Sequence, residues 1–213
     1  MSVSNFDGTV KISSPLNISN KVIEEFVMSK MGWIEKNQKK FLSKEESPVL
    51  KYESGEYHNF KGKLYKLKIR FDDKKPSVFL VNDKLILTVR PGSSIEKRKK
   101  ILNEWYRIYL KEQFPLLIKK WSPIVGEVPL EWGVKDMKTR WGSCNTRDKR
   151  IWLSLRLAEK SESCLEYVFV HEMVHLLERG HGKAFKAHMD RVLPEWRSIK
   201  DQLNNSYFSG EDG

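Results

Sequence analysis

The sequence is poor in cysteine and in long apolar runs, and its first residues lack a signature of export. Two cysteines among 213 residues, Cys144 and Cys164, cannot build a disulfide framework. No apolar run approaches the roughly 20 residues that cross a bilayer, and residues 1–14 lack the basic-then-apolar order of a secretion signal. These absences exclude a disulfide-rich scaffold and a membrane protein, and they predict a soluble protein of the reducing cytoplasm.

Positive charge, by contrast, is abundant and unevenly distributed. The formal net charge is +11, yet the residues from Trp121 onward contain 14 basic and 14 acidic side chains. The whole excess therefore lies in the first 120 residues, and its densest run is Lys-Arg-Lys-Lys at 97–100. Such an excess is typical of a well-solvated surface, but it is also compatible with a nucleotide or a nucleic acid as partner.

Residues 1–92 are predicted to form a basic α/β segment with hairpins. A short strand within 6–14 precedes a helix or helix pair over about 20–43, in which Gly32 is a possible break. Alternating apolar and polar residues then predict four strands, at 57–60, 64–71, 77–81 and 84–89. Asn82 and Asp83 are typical of a tight hairpin turn between the last two of these strands.

Residues 93–205 are predicted to form the core, and residues 206–213 a tail. A long helix begins near Ser94 and runs to Trp121, and Pro115 is expected to kink or divide it. Strand segments at 130–137, 139–144 and 150–157 precede three helices, which are predicted at 162–177, 183–193 and 195–204.

The first of these three helices carries the pattern that points to chemistry. His171 and His175 are four residues apart, so they project from one helix face, one turn apart, and can share a metal ion. Zn²⁺ is the ion that favours such nitrogen ligands in four-coordinate geometry. Glu172 lies off this stripe, where it can act as general base on a zinc-bound water.

A catalytic zinc ion needs a third protein ligand and one open position. His181 is the candidate, because it lies six residues beyond His175 and completes the pattern H-E-x-x-H-x5-H. Metzincin peptidases space their three histidines in the same way and turn the chain with a glycine, whose place is taken here by Glu178. Gly180 is expected to supply that turn instead. His188, Glu195 and His58 are weaker alternatives for the third ligand.

The blander interpretation is a chance pattern on a core helix. The helix is nearly all apolar around the motif, as expected of a buried element. Two unpaired histidines and a glutamate would be costly to bury there, and metal binding removes that cost. The sequence therefore favours a metal site.

Four further residues are candidates for supporting roles. Arg140 could stabilise an oxyanion, or pair with Glu166 or Asp136. Tyr167 lies one turn before His171 and could contact that ligand. Trp141 is interpreted as packing rather than substrate contact, and Cys144 as a structural thiol rather than a fourth metal ligand.

Several of these motifs together resemble one known family, the YgjP-like metallopeptidases. They are Thr139 to Cys144 (TRWGSC), Leu155 to Leu157, Tyr167-Val168, the HExxH motif, His181 to Phe185 (HGKAF) and Pro194-Glu195-Trp196. The resemblance is close over 94–204 and looser before it. The segment WGSC combined with HExxH is specific, whereas HExxH alone indicates only a zincin.

The resemblance implies a small α+β zincin-like fold, in which the active-site helix packs on a short mixed sheet beside a β-rich N-terminal part. It implies a zinc metallopeptidase with His171, His175 and His181 as ligands and a peptide or protein as substrate. Two alternatives come with it. Some members are described as pyrophosphohydrolases of the nucleoside triphosphate UTP, and related SprT-like proteases act on DNA-bound proteins.

Overall fold

Two units make up the chain in the computed structural model, Met1–Val49 and Leu50–Gly213. The structure describes residues 2–3, 9–15, 17–35 and 50–205. In the first unit, β1 (Ser2–Val3) pairs antiparallel with β2 (Val10–Lys11), and α1 (Asn20–Ser29) follows. A further helical segment occupies 31–35, so the helix breaks at Lys30 rather than at Gly32. The remainder of the predicted helix, 36–43, lies outside the described residues, as does the tail.

The second unit begins with a four-stranded sheet. Its strands are β3 (Tyr57–Phe60), β4 (Lys63–Phe71), β5 (Ser77–Val81) and β6 (Lys84–Val89). Their order is β3-β4-β6-β5, with β4 and β6 parallel and the other pairs antiparallel. All four predicted strands are confirmed. The predicted hairpin is confirmed too, since Val81 pairs with Lys84 and Asn82 takes a positive φ of 54°.

The inner face of this sheet packs on a long helix, α2 (Ile95–Val125). The Ser94 hydroxyl accepts the Lys97 amide at its start, and Gly126 ends it at a left-handed φ of 88°. Aromatic rings join sheet and helix: Phe60 lies 4.4 Å from Trp105 and 4.8 Å from Tyr109, between centroids. Of the two outcomes predicted for Pro115, a kink or a division, division is wrong, because the helix runs without interruption from Ile95 to Val125. Packing of the helix face compensates for the missing amide, as the fully buried Phe114 beside the proline illustrates.

A three-stranded sheet and three helices complete the unit. The strands are β7 (Glu131–Lys135), β8 (Gly142–Asn145) and β9 (Arg150–Ser154), in the order β7-β9-β8, with β8 at one edge. Residues predicted to extend β9 instead form a 3₁₀ helix, Leu155–Glu159. The helices are α3 (Glu162–Val174), α4 (Lys183–Val192) and α5 (Trp196–Asn205). Helix α3 contacts β8 and β9 on one side and α4 and α5 on others, which confirms the α+β fold.

The hairpin between β3 and β4 ties the two sheets of this unit together. The amides of Lys61 and Gly62 donate to the carbonyls of Ala158 and Glu159. A side chain at Gly62 would come within 3.1 Å of the Ser161 backbone, so the approach needs glycine there. The predicted boundary between residues 1–92 and residues 93–205 rests on charge and on element type. These hydrogen bonds join residues on either side of that boundary. Among the described helices, none has the length and apolar character required to cross a membrane.

Candidate metal centre

The helix that carries the HExxH motif begins and ends where the site requires. The Ser161 hydroxyl accepts the Cys164 amide and so starts α3. The helix ends at Val174, and His175 is its C-cap residue. This end comes three residues before the predicted end at residue 177. Beyond His175, the amides of Leu176 and Leu177 donate 3₁₀-type hydrogen bonds to the carbonyls three residues earlier in the chain. This tightened turn redirects the chain towards His181. Gly180 lies in the bend between this turn and His181, where the chain turns back as predicted, although its φ is not positive.

Three imidazoles converge at the end of α3. The ligand atoms of His171, His175 and His181 all lie within 4.8 Å of one another. The Nε2 atoms of His171 and His181 face each other at 3.0 Å. The chain therefore brings together all three histidines that the spacing singled out. This all-nitrogen set fits the preference of zinc, and within the described residues no other metal-ligating side chain joins the cluster, so a fourth position would remain for water or substrate.

The contacts of these rings fix their orientation. His175 Nδ1 lies 3.0 Å from the Glu178 carbonyl and donates to it, which leaves Nε2 as the atom that can bind a metal ion. His171 Nδ1 is buried and has no hydrogen-bond partner among the described residues. Phe185 lies under all three rings, at 4.7 to 4.9 Å between centroids. Sequence reasoning assigned no role to Phe185, although its HGKAF segment was the available signal.

Burial favours the neutral, metal-binding form of two of the site histidines, His171 and His181. Burial, reinforced by the nearby His175, His181 and Lys200, lowers the pKa of His171 to about 3. The pKa of His181 is lowered as well, first by burial and then by His175 and Lys200. Neutral imidazoles offer their lone pairs to a cation, so the arrangement suits a metal ion better than a bound proton.

Glu172 is held against the edge strand of the small sheet. Its side chain is buried, with 6% of the residue exposed. A Cβ atom at Gly142 would lie 2.6 Å from Glu172 Oε1 and 2.8 Å from its Cγ, so the carboxylate occupies space that only glycine leaves open. Burial raises the pKa of Glu172 to about 8, and the positive charge of Arg140 opposes that rise. A divalent cation nearby would act in the same direction as Arg140.

A cleft of about 220 Å³ opens beside Glu172 and His171. It is lined by residues from the TRWGSC segment, α3 and α5: Trp141, Gly142, Tyr167, Val168, His171, Glu172, Lys200, Leu203 and Asn204. The contribution of α5 was missed from the sequence, because nothing in its local pattern places it next to the motif.

Arg140 was predicted either to stabilise an oxyanion or to pair with Glu166 or Asp136. Arg140 forms no ion pair with Glu166 or Asp136 within the described residues. Glu166 instead accepts hydrogen bonds from the side chains of Lys120 and Trp121, on α2. The alternative that remains for Arg140 is an electrostatic role near Glu172.

The other three candidates lie close to the site. Tyr167 contacts His171 edge-on, at 5.8 Å between centroids. Trp141 both packs against the core and lines the cleft. Cys144 is half-buried, and burial together with the nearby Glu172 raises the pKa of its thiol to about 11. Cys144 lies outside the cluster of converging ligand atoms.

The chain is similar to a known protein family and to a solved structure. Residues 2–206 match the family model described as YgjP-like, metallopeptidase domain. The chain is also similar to the crystal structure of the metallopeptidase zymogen of Pyrococcus abyssi abylysin. The identity is 21% over 43% of this chain and 92% of that chain, with a TM-score of 0.40. Comparison with curated proteins gives no match. Because the family match spans nearly the whole chain, the protein belongs to the YgjP-like metallopeptidase family.

Proposed function

We propose that this protein is a zinc-dependent peptidase, with His171, His175 and His181 as metal ligands and Glu172 as general base. The observation that carries the proposal is the convergence of three imidazoles beside a buried carboxylate and an open cleft. When bound, zinc supplies a Lewis acid that polarises a carbonyl and makes a water molecule more acidic. The free thiols of Cys144 and Cys164 are in keeping with the cytoplasm as its location.

The carboxylate of Glu172 moves the protons in this proposal. It takes one proton from the water molecule as the water oxygen attacks the peptide carbonyl carbon. The carboxyl group then delivers that proton to the nitrogen of the breaking C–N bond, so the amine leaves neutral. Arg140 places a positive charge near this region, where negative charge develops on the carbonyl oxygen.

The edge strand β8 offers a means to position the substrate. It lies at the border of its sheet and contacts α3, so one side of its backbone runs past Glu172. An extended peptide can pair with such an edge through main-chain hydrogen bonds. This mode of binding suits a peptide or protein substrate, because it is largely independent of the side chains in the substrate.

The nucleotide alternative draws less support from the cleft. A triphosphate carries several negative charges, which proteins neutralise with several Lys or Arg side chains. Among the described residues that line the cleft, Lys200 is the one lysine and there is no arginine. A peptidase therefore matches the lining better than a UTP pyrophosphohydrolase does. The DNA-associated protease alternative requires a nucleic-acid surface in addition to this site.

Parallel assays on one preparation test the proposal. Zinc-loaded protein is incubated with casein and, separately, with UTP, and cleavage is followed by release of peptides and of pyrophosphate. We expect casein cleavage that a chelator abolishes and that Glu172→Gln lacks. Pyrophosphate release without casein cleavage, with the same dependence on Glu172, would assign the site to nucleotide hydrolysis instead.

Gly142→Ala is expected to reduce casein cleavage by at least ~10-fold while zinc content stays near that of the wild type. The added methyl group needs the space of the Glu172 carboxylate, and shifts of about 1 Å in catalytic groups are costly. Gly32→Ala is the matched control, since a Cβ atom there meets nothing within 4 Å. Unchanged cleavage by Gly142→Ala would show that the position of Glu172 is not critical.

A further inference from the structure

The four-stranded sheet has a second face, opposite to the one that packs on α2. Alternation along the strands places Leu67, Leu85 and Leu87 on the inner face, where all three are buried. The residues between them point outwards. We call this surface the outer sheet face, and its larger side chains are Tyr57, Leu64, Lys66, Lys68, Arg70, Phe79, Val81, Lys84 and Ile86.

Four cations occupy the two central strands of the outer sheet face, beside the apolar side chains of Leu64 and Ile86. Lys66, Lys68 and Arg70 follow one another on β4, and Lys84 lies on the adjacent β6, directly beside Lys66 in the register. All four side chains are exposed, and none forms an ion pair with a described residue. The outward positions of the four strands include no acidic residue. Two lysines side by side repel each other, and a bound anion would relieve that repulsion.

Exposed aromatic rings flank these cations. Tyr57 lies on β3 at one edge of the sheet and Phe79 on β5 at the other, each with 58% of its surface exposed. Three strand spacings separate the two edges, or about 14 Å. Bases stack on such rings, and cations between the rings can track the phosphates of the same strand.

We propose that the outer sheet face binds single-stranded nucleic acid, with phosphates on Lys66, Lys68, Arg70 and Lys84 and bases on Tyr57 and Phe79. The arrangement is unlike that of a protein–protein interface, whose centre is depleted of charged residues. It is also unlike a membrane-inserting surface, which presents its apolar residues foremost and its cations around them. Binding here is separate from the metal centre and does not depend on peptidase activity.

The densest basic run of the sequence, residues 97–100, provides an internal comparison. It lies in the first turns of α2, the helix that covers the inner face of the sheet. Arg98 is engaged there, since it donates to the Ser93 hydroxyl and to the Tyr52 carbonyl. Lys97, Lys99 and Lys100 are exposed, and among the described residues a single exposed ring, Phe71, lies beside this run, 6.0 Å from the Arg98 guanidinium, whereas the outer sheet face has a ring at either edge.

Fluorescence anisotropy with labelled oligo(dT) and oligo(U) tests the proposal on the zinc-loaded full chain. With four phosphate contacts, affinity is expected to fall about 50-fold between about 50 and about 200 mM salt. Removing three lysines, K66A/K68A/K84A, should weaken binding at least ~30-fold at the lower salt and reduce the salt effect to about 3-fold. The charge-matched control K97A/K99A/K100A should change affinity no more than ~3-fold.

The aromatic residues are tested separately. Tyr57→Ala and Phe79→Ala should each weaken binding by about 5- to 150-fold, the range for loss of one stacked base. Leu64→Ala removes an exposed apolar side chain from the same face without a ring, and should change affinity less than ~2-fold.

Three outcomes would overturn the assignment. They are equal losses in the two triple-lysine variants, absence of binding at low salt, and Tyr57→Ala and Phe79→Ala variants that bind like the wild type. Binding to phosphatidylserine vesicles in place of oligonucleotides would assign the face to a membrane surface. Circular dichroism of each variant checks that the fold is retained, and zinc content should be unaffected throughout.

Discussion

Glu172→Gln is expected to lower casein cleavage by at least ~10²-fold, the usual lower range for loss of a general base. The amide fills nearly the same space against Gly142, so the fold and the three histidines should be undisturbed. It has no lone pair basic enough to take a proton from water, and it cannot return one to the leaving nitrogen. Initial rates and zinc content, measured on the same preparation, check both halves of the expectation.

Glu195→Gln serves as the matched control for this variant. Glu195 is an exposed carboxylate just before α5, and the same isosteric change there should leave the rate within ~2-fold of the wild type. If the Glu172→Gln variant turned over casein at the wild-type rate, the proton would have to be taken by another group. If it lost its zinc, the loss of activity would say nothing about general-base catalysis.

His175→Ala is expected to reduce bound zinc from near one equivalent per chain to well below a tenth. His175 supplies one of three converging nitrogens, and its ring is already oriented by the Glu178 carbonyl. Loss of a direct ligand should exceed the ~10- to 100-fold drop in affinity that loss of an outer partner causes. Metal analysis after dialysis against a weak chelator measures the stoichiometry.

His188→Ala is the appropriate comparison, because His188 lies on α4 outside the converging cluster. It should retain a full equivalent of zinc. Full retention in all three single variants, at His171, His175 and His181, would refute the ligand assignment. The matching apo protein should also unfold at lower temperature, since an ion bound only by the folded state stabilises that state.

The extent to which sequence alone predicts this protein depends on the distance over which each feature acts. The alternation of the four strands and the four-residue spacing of His171 and His175 are local, because each follows from the geometry of one element. The metal-ligand candidates were therefore predicted from the spacing before any fold was known. The end of α3 at Val174 was not predicted, because the turn that ends the helix depends on the tertiary position of the segment that follows it.

Other features arise only when distant segments meet. The space that Gly142 leaves for Glu172 joins residues 30 apart, and Phe185 contacts three rings from beyond the turn. The residues of α5 that line the cleft follow no local sequence pattern that places them there, because their position results from helix packing. The excess of positive charge can be counted in the sequence, but only the register of β4 and β6 shows which cationic side chains are neighbours. The sequence thus determined which chemical groups lie on each face of each element, and the tertiary structure decided which faces meet, because packing between distant segments leaves no periodic trace in the chain.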